Sequence, residues 1–276
     1  MNDLAGLKLA VVGHTEWVEF VRVPHLPRPG EILHAAGLTE QPAGGGAVTA
    51  VQLARLAGSA RFFTALGRDD LGEKAFQELK ELGLDVEVIW RDQPTRRAIT
   101  YVDAHGERSI TVVGNRLNPV AADPLPWDQL QDCDGIFLTA TDADGIRLAR
   151  RAAVLTATPR LGLGTLEQSG VQLDALIGSA LDPGEQVPDG LLSFQPKLRI
   201  ATEGSKGGWS EPGGRFNSIE RGKPLGDTYG AGDSFAGGVT AALAGGWSRQ
   251  QAIDLGCRCG ASCIDGIGPY ANQLQR

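Results

Sequence analysis

The stretch of this 276-residue chain with the clearest chemical content is Gly226–Gly238, GDTYGAGDSFAGG. Gly230, Ala231 and Gly232 precede Asp233, and an uncharged run of small, helix-compatible residues follows. A small-residue loop that opens a helix presents several unbonded backbone N–H groups at the positive end of the helix dipole, a ready site for an anion. Glycines let a phosphate approach the backbone closely. A carboxylate in that first turn repels the phosphate it would bind. It makes chemical sense as a base that takes a proton from a hydroxyl attacking phosphorus. The same residues also satisfy a plainer requirement, a tight turn before a helix with an acidic first turn. GAGDSFA matches a dinucleotide fingerprint, but it follows the polar GKPLGDT rather than a strand, which disfavours that use. The chain has no G-x-x-x-x-G-K-[ST] segment, so a P-loop nucleoside triphosphatase is also disfavoured. Cys257, Cys259 and Cys263 invite a metal reading, yet no second Cys or His cluster completes a zinc site. Cys259 and Cys263 are four apart and in line with Leu255, the spacing of one buried helix face.

The elements that must position this loop alternate. Leu7–Val12 reads as a buried strand, Ala47–Leu56 as a helix, Arg61–Leu66 as a strand, and Gly72–Leu82 as a helix stopped by Gly83. In Ala47–Leu56 the polar Thr49, Gln52 and Arg55 recur every three residues, leaving an apolar face for the core. Gly135–Ala140 reads as a strand, and Gly145–Leu155 as a helix entered through Asp144. LRIATEG reads as a strand running into a loop, WSEPGGRF as a hairpin, and Ser248 with Gln251 as a capping box for the last helix. Two regions break the rhythm. His14–Glu40 holds extended pieces around PHLPRPGE. Asp85–Gly114 holds three strand-like runs, DVEVIW, RAITYV and RSITVV, the last two flanking the turn DAHGE. These pieces are expected to form a small β-sheet outside the α/β body, as a lid or a dimer-forming flap.

Composition narrows the partners. The 26 Lys and Arg against 33 Asp and Glu give a net charge of −7, which disfavours a nucleic-acid binder. The uncharged run Ser234–Ser248 is too short and too rich in Gly and Ala to span a membrane. The N-terminus lacks a signal-peptide layout, so a cytoplasmic protein is expected. With 42% hydrophobic residues the chain can bury a large core as a single domain over residues 1–276.

DTYGAGDSFAGG resembles the C-terminal signature of the ribokinase-like, PfkB-type carbohydrate kinase family. AGGGAVTAVQLARLAG resembles that family's N-terminal glycine pair and helix, FFTALGRDDLGEKAFQELKELGLDV its strand, G-x-D-x-x-G turn and helix, and ATEGSKGG its T-x-G-x-x-G nucleotide loop. The resemblance runs from about Leu7 to Gln273. It implies an α/β, three-layer α/β/α fold with a largely parallel central sheet and a small β-sheet lid, formed by roughly residues 14–40 and 85–115. It implies ATP with Mg2+ as the phosphoryl source, Asp233 as base, and Gly230, Ala231 and Gly232 as the anion hole. By resemblance Thr202, Gly204, Ser205, Gly207, Gly268 and Asn272 border the nucleotide, and Asp227 is a candidate for holding K+.

The acceptor side departs from the family pattern. The usual Asp after the first strand aligns with Val18, flanked by Glu16 and Glu19, and Glu16 is the better substitute. Gly44, Gly45 and Gly46 retain the glycine cluster, but Val48 stands where the family carries an Asn, and a valine bonds no hydroxyl. In LIGSALDPGE the Asn of the family's N-x-x-E motif is missing, leaving Asp182 or Glu185 to supply its acid. His14 is a further candidate. Arg96, Arg97 and Arg108, in the expected lid strands, are candidates for a substrate carboxylate or phosphate. The expectation is a kinase for a hydroxymethyl group of a sugar or sugar-like molecule, with a homodimer through the lid as its candidate assembly. A nucleoside kinase of the same fold and a catalytically weak metabolite binder are the alternatives.

Overall fold

The computed structural model describes residues 3–220 and 226–276; of the polar GKPLGDT ahead of the glycine loop, GKPL lies outside them. The strands are β1 (Leu9–Val12), β2 (Glu16–Arg22), β3 (Gly37–Ala43), β4 (Ala60–Gly67), β5 (Leu84–Arg91), β6 (Arg97–Val102), β7 (Arg108–Val113), β8 (Gly135–Leu138), β9 (Val154–Ala157), β10 (Ala175–Ser179), β11 (Arg199–Thr202), β12 (Gly208–Glu211) and β13 (Gly214–Phe216). The helices are α1 (Gly45–Ala57), α2 (Asp70–Glu81), α3 (Ala143–Ala149), α4 (Leu163–Ser169), α5 (Ala231–Ala244) and α6 (Arg249–Cys263). Nine strands form one sheet in the order β13-β12-β11-β10-β9-β8-β1-β4-β5, parallel from β5 to β11 and antiparallel at β12 and β13. Four more form a second sheet in the order β3-β2-β6-β7.

The central strands are apolar on both faces because helices cover both. Along β1, Leu9 and Val11 join the cluster that α1, α5 and α6 complete, while Ala10 and Val12 join the one that α3 and α4 complete. The result is the three-layer arrangement.

Three expectations change. DVEVIW does not belong to the small sheet: it is β5, paired parallel with β4 along its whole length at the edge of the large sheet. A run of β-branched residues fits either sheet, and here the connection through α2 returns it beside β4. The helix expected over Gly145–Leu155 ends at Ala149, and Val154 and Leu155 begin a buried strand. Its cap is Asp142, whose side chain accepts the Gly145 N–H at 2.9 Å, and not Asp144. The polar stripe of α1 is not a solvent face. Thr49 and Gln52 are fully buried, and Gln52 donates to the Leu274 carbonyl at 2.8 Å while Arg55 donates to that of Gln273 at 3.3 Å.

Helix α5 is rich in small residues because it is crowded from two sides. A Cβ on Gly238 would lie 2.8 Å from Cys259 Sγ and 2.9 Å from the Gly256 Cα of α6, and one on Gly237 3.1 Å from Gln52 Cγ of α1. Buried Cys259 and Cys263 therefore serve as small packing residues, and burial pushes the Cys263 thiol up to about 12. Helix propensity alone makes Gly238→Ala stabilising by about 1 kcal/mol. Overpacking against the α6 backbone opposes this by about 1–3 kcal/mol. Thermal denaturation is expected to show a lowered Tm for Gly238→Ala; a raised Tm would show that α5 and α6 are not in this close register.

Candidate active site

Parallel strands end on one side of the large sheet, and the candidate residues gather beyond those ends. Beyond β1 the chain passes through Gly13 to His14 and, at the start of β2, Glu16, both buried. Gly44, Gly45 and Gly46 then bring the N-terminus of α1 against this connection. Added Cβ atoms would stand 3.2 Å from His14 Cδ2 at Gly44 and 2.6 Å from the His14 carbonyl oxygen at Gly46. One on Gly45 would stand 2.9 Å from Oδ1 of Asp233. The carboxylate in the first turn of α5 thus lies directly against the N-terminus of α1.

Gly230 makes that geometry reachable. It takes a left-handed conformation at φ 80° as the N-cap of α5, with Val48 Cγ1 and Pro269 Cβ each 3.0 Å from where a side chain would begin. The first-turn amides of Ala231, Gly232 and Asp233 have no intrahelical acceptor. Gly232 is exposed, with open space where a Cβ would be. Further bonds fix the loop. Tyr229 Oη accepts the Gly44 N–H at 3.2 Å, and Thr49 Oγ1 donates to the Asp233 carbonyl at 3.2 Å. Asp227 accepts the amides of Tyr229 at 2.8 Å and Gly268 at 2.6 Å, so its carboxylate ties the glycine loop to the Gly268 turn. The β6–β7 hairpin clasps the loop from the small sheet. Thr228 N–H donates to Gly106, and Arg108 donates to the Thr228 carbonyl at 2.9 Å.

Burial and nearby Glu185 disfavour the charged form of Asp233, while Arg108 and Arg160 oppose them; the carboxyl is pushed up to about 6. Burial, reinforced by Arg116, Arg96 and Arg160, lowers His14 well below the usual imidazole range, so it is neutral at pH 7. Its 3.7 Å approach to Glu16 is therefore no ion pair. Burial raises Glu16, and Arg96 opposes it, with Nε 3.1 Å from Oε1.

Of the acceptor-side candidates, Glu16, Gly44, Gly45 and Gly46 come together with Asp233. Val18 is buried core, and Glu19 faces out to pair with Arg97. Val48 is packed under Gly230. Asp182 and Glu185 both pair with Arg160, and Glu185 also accepts the Ser179 N–H at 2.7 Å. Among the described residues no cluster of three His, Cys, Asp or Glu side chains is placed to hold a metal. Of the nucleotide-side candidates, Thr202 ends β11, and Gly204 and Ser205 form a 3-10 turn that closes at Gly207. This loop reaches α5 through Phe216, stacked 6.1 Å from Phe235. Gly268 adjoins Gly230 through Pro269, and the carbonyl of exposed Asn272 accepts Ser262 Oγ at 2.6 Å near the end of α6. Arg116 and Arg160 were not legible beforehand, since isolated arginines in loops carry no local signal.

Known proteins resemble this chain in sequence and fold. The chain is 26% identical over 279 residues to the ATP-dependent ribose-1-phosphate kinase of Halopiger xanaduensis, covering 92% of this chain and 91% of the relative. The ribokinase structure from Thermotoga maritima superposes with a TM-score of 0.76 at 25% identity, covering 98% of this chain and 97% of that one. The adenosine kinase structure from Sinorhizobium meliloti shares the fold, with a TM-score of 0.75 at 19% identity and 96% of each chain covered. The family model described as pfkB family carbohydrate kinase matches residues 7–156 and 173–275, and the chain belongs to that family.

Proposed function

We propose that the protein transfers the γ-phosphoryl group of ATP to a hydroxymethyl group of a sugar or sugar-like small molecule. The observation that carries this reading is the Asp233 carboxylate lodged between the N-termini of α5 and α1, beside three first-turn amides. Asp233 accepts the proton of the acceptor hydroxyl as its oxygen bonds to the γ-phosphorus. The bond from that phosphorus to the β–γ bridging oxygen breaks, and ADP leaves with the electron pair. The amides of Ala231, Gly232 and Asp233 stabilise the charge on the migrating phosphoryl oxygens, so positioning and fixed dipoles carry the catalysis. Glu16 and the Gly44–Gly46 backbone hold the acceptor. Thr202, Gly204, Ser205 and Gly207, with Gly268 and Asn272, border the nucleotide, and the four-stranded sheet covers the acceptor as a lid.

Glu16, Asp182 and Glu185 are paired with arginines, and among the described residues no cluster of three His, Cys, Asp or Glu side chains forms a cage for a divalent ion. The donor set suits Mg2+ that arrives on the phosphates of ATP and keeps most of its water. Asp227, each of whose oxygens accepts one amide, clamps the loop and keeps a lone pair on each oxygen as a candidate for holding K+.

Replacing the base is expected to separate catalysis from stability. Asp233→Asn lowers kcat by about 10²–10⁴, the usual contribution of a general base. The raised carboxyl destabilises the fold as pH climbs from its ordinary 3.8 through about 6, because the ionised form is the disfavoured one. The Asn variant escapes this. Its Tm above pH 7 exceeds that of the parent by a few degrees, for about 1 kcal/mol after allowance for solvent screening, and the two converge below pH 4. ADP release and thermal melts at both pH values measure this; full kcat in Asp233→Asn refutes the assignment. A base with this pKa also makes kcat/KM rise through pH 6 to a plateau. A profile flat from pH 5 to 8 in ADP release across sugars and nucleosides contradicts it.

A further inference from the structure

Three guanidinium groups from separate parts of the chain meet on the acceptor side of the site. Arg96 precedes β6, Arg116 lies in the segment after β7, and Arg160 lies in the 3-10 turn after β9. Two of them are matched by carboxylates: Arg96 by Glu16 at 3.1 Å, and Arg160 by Glu185 at 2.7 Å and by Asp182. Arg116 is not. Its Nη1 donates to the Arg160 carbonyl oxygen at 2.9 Å, and among the described residues no carboxylate stands within ion-pair distance of it. It is half-buried, and burial together with Arg96 and Arg160 lowers its pKa, while Glu16, already paired with Arg96, opposes them only in part. The Nε of Arg96 is also buried without an aligned acceptor, despite its closeness to Glu16. A half-buried cation pressed against two others is unfavourable until an anion joins it. Its five fixed donors suit a carboxylate or a phosphate.

Arg116 belongs to the group of residues beyond β1, where Arg96 stands 3.1 Å from Glu16. Arg116, Arg96 and Arg160 act on Glu16 and His14, the residues beyond β1; Arg160 also acts on Asp233, together with Arg108, which bonds the Thr228 carbonyl of the glycine loop. Resting on the phosphotransferase reading of this same site, we propose that the acceptor is itself an anion, a polyhydroxylated molecule bearing a phosphate or carboxylate group, and that Arg116 binds that group and sets the specificity.

The test compares acceptors that differ by one anionic group. ADP release is measured with ribose 1-phosphate and fructose 6-phosphate as phosphate esters, gluconate as a carboxylate, and ribose, fructose and adenosine as neutral compounds. The expected result is a kcat/KM at least about tenfold higher for an anionic acceptor than for the neutral ones, the worth of one hydrogen bond to a charged group. In Arg116→Gln that ratio falls by a similar factor, mainly through the KM of the acceptor, and Arg116→Lys restores part of it. Whichever anionic arm responds identifies phosphate or carboxylate. Neutral compounds used as well as anionic ones by the parent overturn the proposal, as does an Arg116→Gln effect confined to the KM of ATP. If no compound is turned over, the kinase reading fails, and calorimetry with the same compounds decides the anion site by itself. Binding of an anionic compound that Arg116→Gln abolishes supports the site; equal binding by parent and variant overturns it. If Arg116→Gln does not melt cooperatively, the selectivity of the parent decides.

Discussion

The structure depends on one close approach: the Asp233 carboxylate stands where a side chain on Gly45 would begin. Two helices point their N-termini at the same small volume, one from the start of the chain and one from near its end. Each terminus carries roughly half a positive charge from unbonded amides. In the proposed reaction that field is what the migrating phosphoryl group meets, and it is prepared before any substrate arrives. The acid can sit there only because α1 opens on glycine and α5 is capped by a left-handed Gly230.

Much of the rest holds this approach in place. Thr49 of α1 bonds the carbonyl of Asp233, and Gly237 lets the two helices lie flank to flank. Asp227 ties the loop to the Gly268 turn, and Arg108 and Gly106 hold Thr228 from the small sheet. The small sheet is thus joined to the glycine loop at its β6–β7 hairpin and to Glu16 through its pair with Arg96. Any motion of that sheet bears on both halves of the site. Desolvation in the same place raises Asp233 toward neutrality, so stability is given up where the proposed base stands.

The glycine loop and the helix it opens were legible in the sequence because their signal is local: three small residues, an acid, then a helix of small residues. The layered fold was legible for a similar reason, since doubly covered strands read as continuous apolar runs. What could not be read depends on where distant segments meet. DVEVIW has the same pattern whether it pairs in the large sheet or the small one, and only the path through α2 decides. Val154 and Leu155 continue an apolar spacing that began in a helix, although four residues of turn and loop intervene. Thr49 and Gln52 looked like a solvated stripe, and their burial follows from α5 arriving more than 180 residues later. Arg116 and Arg160 lie in loops 44 residues apart, and their convergence exists only in the folded chain.

The most direct measurement is a crystal structure of the protein with ADP, aluminium fluoride and an acceptor that it turns over. The account places the acceptor hydroxyl within about 2.6–3.2 Å of an Asp233 carboxylate oxygen, with the planar fluoride group on the amides of Ala231, Gly232 and Asp233. An acceptor hydroxyl held by another group, or a fluoride plane away from those amides, would contradict it.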